Sequence, residues 1–198
     1  METDGFKMFP EALTPQQQAS LAQEALCLID RAPLYHATTP GGRPMSVAMT
    51  NLGAWGWVSD RNGYRYQTTH PITAAPWPAI PESLIQIWRR FGERCDAPDA
   101  CLVNLYLASA RMGLHQDRDE QDFSAPVVSV SLGDTALFRL GGLERRDPTR
   151  SLRLSSGDIC VLSGRSRLAF HGGDRTLPGS SQLIPGGGRI NLTLRLAR

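Results

Sequence analysis

The chain has 198 residues and a formal net charge of +2, and this length suits one domain with an ample core. Its start, METDGFKMFP, lacks the basic and apolar regions of a secretory signal, and no run of 18 apolar residues occurs, so we expect a cytoplasmic protein that does not enter a membrane. The four cysteines are scattered without CxxC spacing, which argues against a disulfide framework and against a structural zinc site.

Two helices are predicted in the N-terminal half. The first begins at Thr14, its N-cap, with Pro15 in the first turn, and continues through QQQASLAQEALCLID. The second runs over residues 82–94. Both carry apolar residues at helical spacing, which are Leu21, Ala25, Leu28 and Ile29 in the first helix and Leu84, Ile85, Trp88 and Phe91 in the second.

A β-hairpin is predicted between the two helices. A loop rich in proline and glycine ends the first helix, and the runs SVAMTNLGAWGWVSD and YRYQT then flank Asn62-Gly63, the strongest short hairpin signal. This hairpin carries three aromatic residues, Trp57, Tyr64 and Tyr66.

Short β-strands separated by turn residues are predicted from residue 100 onward. The runs are CLVNLYLA, PVVSVSL, ALFRL, SLRLS, DICVLS, RLAFH and RINLTLRLA. Many short strands with little helix between them favour a sandwich, a barrel or a jelly roll. We therefore predict one α+β domain over residues 1–198, with helices and the hairpin in 1–99 and the β core in 100–198.

The last predicted strand, RINLTLRL, alternates strictly between polar and apolar residues. Its polar face carries two arginines, an amide and a hydroxyl along roughly 20 Å, which suits a small anion with a carboxylate: Arg189, Asn191, Thr193 and Arg195. A half-exposed edge strand with solvated arginines would show the same alternation. The basic residues of the chain are 20 arginines and one lysine, which suits phosphate or carboxylate recognition, although a biased genome composition produces the same skew.

A metal site is predicted from two histidines and one aspartate. His115 and Asp117 stand two residues apart, so on an extended strand both side chains point the same way, although a His-x-Asp pair alone is a weak signal. His171, at the end of the run RLAFH, supplies a third ligand. Two histidines and one carboxylate form the facial triad that binds Fe(II) and leaves positions open for a co-substrate and oxygen. Zinc accepts the same ligands, but a zinc hydrolase gives no role to the polar arginine strand.

Most of the chain resembles a known protein family. The stretches are NLYLASARMGLHQDRDEQDFSAPVVSVSLG, FRLGGLERRDP, SGDICVLSGRSRLAFHG and RINLTLR, together with MSVAMTNLGAWGW, RNGYRY and PWPAIPESL. They resemble the AlkB family of Fe(II)- and 2-oxoglutarate-dependent nucleic-acid dealkylases, especially its bacterial DNA-repair members. The resemblance implies a double-stranded β-helix, the cupin-like jelly roll, with iron at His115, Asp117 and His171.

The resemblance also implies a 2-oxoglutarate site formed by Asn104, Tyr106, Arg189, Asn191 and Arg195. Arg189 would hold the distal carboxylate, helped by Tyr106, because a guanidinium matches a carboxylate bidentately. Arg195 and Asn104 would lie near the metal, where Arg195 would orient Asp117 or the carboxylate of the keto acid. The family's usual Pro-Gly after the Asn-x-Tyr element is Ala108-Ser109 here, which changes the turn because both residues resist a positive φ more than glycine does.

The resemblance assigns nucleotide recognition to the hairpin. A base inside a duplex cannot reach a buried iron, so such enzymes flip the base out or take single strands. Trp57 would pack against the base opposite His115, and Tyr64 and Tyr66 would reach the backbone phosphate and the rim of the lesion. Aromatic residues on a hairpin also serve as core, so this alternative stays open.

Asp119 is predicted to distinguish the damaged base. It continues the i+2 pattern of the first two ligands and would face the same cavity, with Glu120 beside it. Adenine methylated at N1 and cytosine methylated at N3 are cationic, so a carboxylate attracts them more than the neutral base. Arg145 resembles the family's arginine near the damaged base. A solvated acidic loop over Asp119, Glu120 and Asp122 is the alternative.

The activity that the resemblance implies is oxidative demethylation of N-alkylated bases, such as 1-methyladenine and 3-methylcytosine, in single- or double-stranded DNA or in RNA. The enzyme, expected to be a monomer, would use Fe(II), O2 and 2-oxoglutarate and release succinate, carbon dioxide and formaldehyde. One alternative is a 2-oxoglutarate oxygenase of the same fold that acts on a small molecule or a protein, which the match of WGWVSDRNGYRY disfavours. Another is a non-catalytic nucleic-acid-binding module, which the intact triad disfavours.

Overall fold

The computed structural model describes residues 2–107 and 109–198. Their strands are β1 (Glu2–Thr3), β2 (Phe6–Phe9), β3 (Ala48–Gly53), β4 (Gly56–Asp60), β5 (Gly63–Gln67), β6 (Ala100–Tyr106), β7 (Val127–Gly133), β8 (Ala136–Leu140), β9 (Arg150–Leu154), β10 (Ile159–Leu162), β11 (His171–Thr176) and β12 (Arg189–Arg195). The helices are α1 (Pro15–Arg31), α2 (Glu82–Gly92) and a 3-10 helix over Gly164–Leu168. The fold is α+β, as predicted. No helix among these residues is long and apolar enough to cross a membrane.

The sheets form an antiparallel jelly roll. The large sheet has the strand order β1-β2-β10-β7-β12-β6-β3, and a small sheet has the order β11-β8-β9. Strands β4 and β5 form a separate hairpin. Residues from both the large and the small sheet line one cavity, so the two sheets face each other across it. The predicted double-stranded β-helix is confirmed.

Strand β12 lies inside the large sheet, paired with β6 on one side and β7 on the other. All seven of its residues are buried, so the edge-strand alternative is wrong. Its apolar face packs into the core beneath the helices through Ile190, Leu192 and Leu194. Its polar face lines the cavity, as the alternation predicted.

Helices α1 and α2 pack against the face of the large sheet that points away from the cavity. A capping box fixes the predicted start of α1, because the hydroxyl of Thr14 accepts from the backbone N–H of Gln17 at 3.3 Å and the side chain of Gln17 accepts from that of Thr14 at 2.9 Å. In α2, Ile87 joins the predicted Leu84, Trp88 and Phe91 as a buried residue, whereas the predicted Ile85 is only partly buried.

The predicted strand RLAFH is wrong. Residues Gly164–Leu168 form a 3-10 helix, and His171 is the first residue of β11 instead of the last residue of a strand. The serine side chains explain the difference, since the hydroxyl of Ser166 accepts from the backbone N–H of Ser163 at 3.2 Å and donates to its carbonyl at 3.0 Å. Such local side-chain bonds compete with strand pairing.

Three further details differ from the prediction. The run SVAMTNLGAWGWVSD splits into β3, which joins the large sheet, and β4. The hairpin turn lies one residue earlier than predicted, because Asp60 pairs with Gly63, which opens β5 with a φ of 106°. The short strands β1 and β2 were not predicted. The predicted turn at 108–109 lies partly outside the described residues, since residue 108 is not among them.

Candidate active site

Two segments that are distant in sequence bring His115, Asp117 and His171 together. The backbone N–H of His115 donates to the carbonyl of His171 at 2.8 Å, and the N–H of His171 donates to the carbonyl of His115 at 2.9 Å. This isolated bridge joins β11 to the loop that carries Asp117, so His115 and Asp117 lie on a loop and not on a regular strand. The three ligand atoms lie within 4.8 Å of one another.

The two imidazoles present Nε2 toward Asp117. Nδ1 of His115 lies 2.9 Å from the carbonyl of Gly113, and Nδ1 of His171 lies 2.9 Å from that of Ala169. A carbonyl only accepts, so each Nδ1 donates to it, and in the neutral imidazole Nε2 is then the nitrogen with a free lone pair. Each Nε2 lies 3.7 Å from a carboxylate oxygen of Asp117. Two ligands of one ion are separated by at most about twice a bond of ~2.1 Å, and both 3.7 Å separations meet this limit, so Asp117 is placed to share one metal with each histidine.

The protonation states of His171 and Asp117 favour metal binding. Burial, followed by repulsion from His115, lowers the pKa of His171 from 6.5 to about 4. Burial would raise the pKa of Asp117, but Arg195 and the two histidines outweigh it and the net direction is downward. A neutral imidazole and an ionised carboxylate are the forms that bind a metal.

A cavity of about 430 Å³ opens beside the ligand cluster, and every predicted site residue except Tyr66 lines it. Arg195, on the polar face of β12, lies against the metal ligand, since its NH2 is 2.9 Å from Oδ2 of Asp117. Arg195 is therefore placed to orient this carboxylate, one of the two roles that the resemblance implied for it.

Arg189 is a buried cation without a carboxylate partner within residues 2–107 and 109–198. It is 5 % exposed, and its NH2 donates to the hydroxyl of Ser131 at 2.9 Å. Its guanidinium carbon lies 5.3 Å from the centroid of the Tyr106 ring, and its Nε has no hydrogen-bond partner. Burial lowers the pKa of Arg189, because the interior disfavours its charge. An entering carboxylate would compensate this charge, so the residues fit the distal carboxylate of 2-oxoglutarate.

The two predicted amides differ in their free capacity. Nδ2 of Asn191 donates to the hydroxyl of Ser129 at 2.7 Å and to the carbonyl of Val130 at 3.0 Å. Its Oδ1 accepts from the hydroxyl of Thr193 at 3.1 Å. The side-chain oxygen of Asn104, in contrast, is buried without a partner at the cavity wall. Asn104 is therefore the amide with an open hydrogen-bonding position.

The hairpin places two of its three aromatic residues at the cavity. The rings of Trp57 and Tyr64 are stacked, with centroids 5.6 Å apart and planes at 18°. Tyr66 is only 5 % exposed, does not line the cavity and donates its hydroxyl to Oε1 of Glu120 at 2.5 Å. Its predicted position at the lesion rim is wrong, because a buried carboxylate holds the hydroxyl below the surface.

The acidic stretch after the ligands is not a solvated loop. Oδ2 of Asp119 accepts from the indole N–H of Trp57 at 2.7 Å and lies at the cavity. Glu120 is 6 % exposed, and of the three acids only Asp122 keeps a side chain that is 44 % exposed. Arg145 also lines the cavity and donates to the carbonyl of Leu114 at 2.9 Å.

Two contributors to the site were missed. Ser131 supports Arg189, and its signal was present, because Ser129 and Ser131 form a polar alternation in the otherwise apolar run PVVSVSL. Arg167 is 1 % exposed and bonds to the segment around Asp117. No pattern in GRSRLAF distinguishes it from the exposed Arg165 two residues earlier.

A jelly roll with a His-Asp-His cluster and a buried, uncompensated arginine in the same cavity defines an Fe(II)- and 2-oxoglutarate-dependent oxygenase. The chain matches the 2OG-Fe(II) oxygenase superfamily over residues 5–195. It is 58 % identical over 194 residues to the "Alpha-ketoglutarate-dependent dioxygenase AlkB homolog" of Caulobacter vibrioides (strain NA1000 / CB15N), covering 98 % of this chain and 88 % of that protein.

Two further relatives agree with this class. The identity to "Alpha-ketoglutarate-dependent dioxygenase AlkB" of Escherichia coli (strain K12) is 48 % over 146 residues, covering 72 % of this chain and 68 % of that protein. The solved structure of OsALKBH1 superposes with a TM-score of 0.81 at 32 % identity and covers 98 % of both chains. The protein belongs to the AlkB family of these oxygenases, as the sequence resemblance implied.

Proposed function

We propose that this oxygenase demethylates N-alkylated bases in nucleic acid, such as 1-methyladenine and 3-methylcytosine in DNA. The observation that carries the proposal is the single cavity that joins the metal ligands to the stacked pair Trp57 and Tyr64, with the Asp119 carboxylate beside them. An aromatic platform, an anionic group and an oxidising centre are what a flipped cationic base requires.

In this proposal His115, Asp117 and His171 hold Fe(II), and Arg189 with Tyr106 holds the distal carboxylate of 2-oxoglutarate. With O2, the bound iron and co-substrate supply the oxidation of the N-methyl group, which leaves as formaldehyde while 2-oxoglutarate becomes succinate and carbon dioxide. The protein contributes the fixed ligand geometry and the buried anion site. Residues 1–99 and 100–198 act together as one domain, because the hairpin of the first part lines the same cavity as the strands of the second.

Recognition of the lesion rests on Trp57 and Asp119. The indole N–H of Trp57 holds Oδ2 of Asp119 at 2.7 Å, which leaves Oδ1 available to the base. A carboxylate fixed in this way attracts a base that methylation has made cationic more strongly than the neutral base. Arg145, exposed at the same cavity, is placed to contact the nucleotide.

The test is a repair assay on matched oligonucleotides. The full chain is incubated with Fe(II), 2-oxoglutarate and a DNA strand containing one 3-methylcytosine, and both the base and succinate are measured by mass spectrometry. We expect cytosine and one succinate per repaired base, with no repair by Asp117→Ala. An RNA strand and a duplex of the same sequence define the preferred polymer. Succinate formation that does not depend on any methylated strand would instead support a small-molecule or protein substrate.

A further inference from the structure

Four buried charged side chains form a cluster behind the metal ligands, called here the buried charge cluster: Asp117, Glu120, Arg167 and Arg195. NH2 of Arg195 lies 2.9 Å from Oδ2 of Asp117, and Nε of Arg195 lies 3.5 Å from Oε1 of Glu120. NH2 of Arg167 lies 3.1 Å from Oε2 of Glu120. The two acids and two arginines balance in charge, and none of these side chains is more than 8 % exposed.

Arg167 connects the two chain segments that carry metal ligands. It belongs to the 3-10 helix that ends shortly before His171. Its NH1 donates to the backbone carbonyl of Asp117 at 2.6 Å, and its Nε donates to that of Ala125 at 2.9 Å. One planar guanidinium thus fixes the loop of Asp117 against the segment that leads into His171.

Glu120 is the central member of the cluster. Its carboxylate lies against both arginines and accepts the hydroxyl of Tyr66 from the hairpin. Without Glu120, Arg167 and Arg195 would be two buried cations with one carboxylate between them. Arg195 would then also lose the carboxylate that lies 3.5 Å from its Nε, while its NH2 contacts Asp117.

We propose that Glu120 and Arg167 are positioning residues for the iron site, which hold Asp117 and the segment of His171 in ligand geometry before metal binds. The inference rests on the proposed assignment of His115, Asp117 and His171 as the metal ligands. Groups that contact and orient the metal ligands, without binding the metal themselves, typically contribute a factor of about 10 to 100 to metal affinity. Neither residue belongs to the proposed ligand set, so a change in affinity has to arise through the orientation of Asp117 and His171.

The test is a titration of the metal-free full chain with Co(II), in which binding is monitored by the visible absorption of the bound ion. Thermal unfolding of the same proteins is measured in parallel. The variants are Glu120→Gln, Arg167→Met and the double variant. Each single variant should lower Co(II) affinity about 10- to 100-fold and lower Tm, because a buried charge loses its partner. The double variant should recover Tm, since replacing both partners of a buried pair is often neutral, but should not recover affinity. Arg165→Met, on the exposed side of the same 3-10 helix, should change neither value.

Affinity that recovers together with Tm in the double variant would overturn the inference in favour of a purely structural cluster, as would single variants within twofold of the wild type. If Arg167→Met does not fold, Arg167→Lys retains the charge but cannot bond to both carbonyls and Glu120, and it should lower affinity while Tm is retained. Asp117→Ala separates the two hypotheses. Unchanged Co(II) binding by Asp117→Ala would contradict the assignment of the metal ligands themselves. If Asp117→Ala loses binding while the Glu120 and Arg167 variants do not, only the positioning role is contradicted.

Discussion

Replacing Arg189 by methionine should weaken 2-oxoglutarate binding without destabilising the protein that lacks co-substrate. In that state Arg189 is a buried cation without a carboxylate partner in the described chain, and it bonds through NH2 to the hydroxyl of Ser131. Methionine has a similar length and no charge, so the substitution removes the desolvation of an ion and loses one hydrogen bond of about 1 kcal/mol. Tm without 2-oxoglutarate should therefore stay level or rise.

The bound state should lose much more. A buried carboxylate left without its cation costs about 3 kcal/mol, which corresponds to roughly a 150-fold increase in the KM for 2-oxoglutarate. The assay measures succinate at varied 2-oxoglutarate with a saturating methylated oligonucleotide, and thermal unfolding with and without 2-oxoglutarate. Arg153→Met, an exposed arginine on β9, is the matched control. A KM within twofold of the wild type would show that the distal carboxylate is bound elsewhere.

Three further substitutions test other parts of the site. Asp117→Ala should abolish succinate formation and leave the far-ultraviolet circular dichroism unchanged, and activity that survives would contradict the ligand assignment. Trp57→Ala should raise the KM for the methylated oligonucleotide about 10- to 100-fold, since base stacking contributes about 1–3 kcal/mol, with the KM for 2-oxoglutarate unchanged; equal increases in both would place Trp57 outside base recognition. The pKa of His171 is about 4 in the folded protein and 6.5 in the unfolded chain, so the metal-free protein should lose up to about 3 kcal/mol as the pH falls from 6.5 to 4. Urea unfolding should show this loss in the wild type and not in His171→Gln, and equal slopes in both would contradict it.

The sequence predicted those parts of the site that depend on strand alternation. Because strand side chains have a period of two, the polar positions of RINLTLRL had to share a face, and the structure places that face at the cavity. The same reasoning from i to i+2 placed Asp119 at the cavity of the metal ligands, even though its segment is irregular. The capped start of α1 followed from Thr14 and Pro15 in the same local way.

The remaining features depend on how deeply a side chain is buried and on partners that are distant in sequence. A local sequence pattern carries no information about either. Tyr66 pairs with Trp57 in the hairpin of the structure, and the burial of Tyr66 depends on Glu120, which is distant in sequence. The strand predicted at RLAFH failed because bonds between Ser163 and Ser166 close a 3-10 turn. Arg167 could not be distinguished from a surface arginine, since its partners are two backbone carbonyls and one acid far along the chain.

The most direct test of the iron site is a crystal grown anaerobically with Fe(II) and 2-oxoglutarate and measured at the iron absorption edge. We expect one anomalous peak about 2.2 Å from Nε2 of His115, Nε2 of His171 and a carboxylate oxygen of Asp117, with the distal carboxylate of 2-oxoglutarate on Arg189. An iron peak that lies away from these three atoms, or a co-substrate that does not contact Arg189, would contradict the site described here.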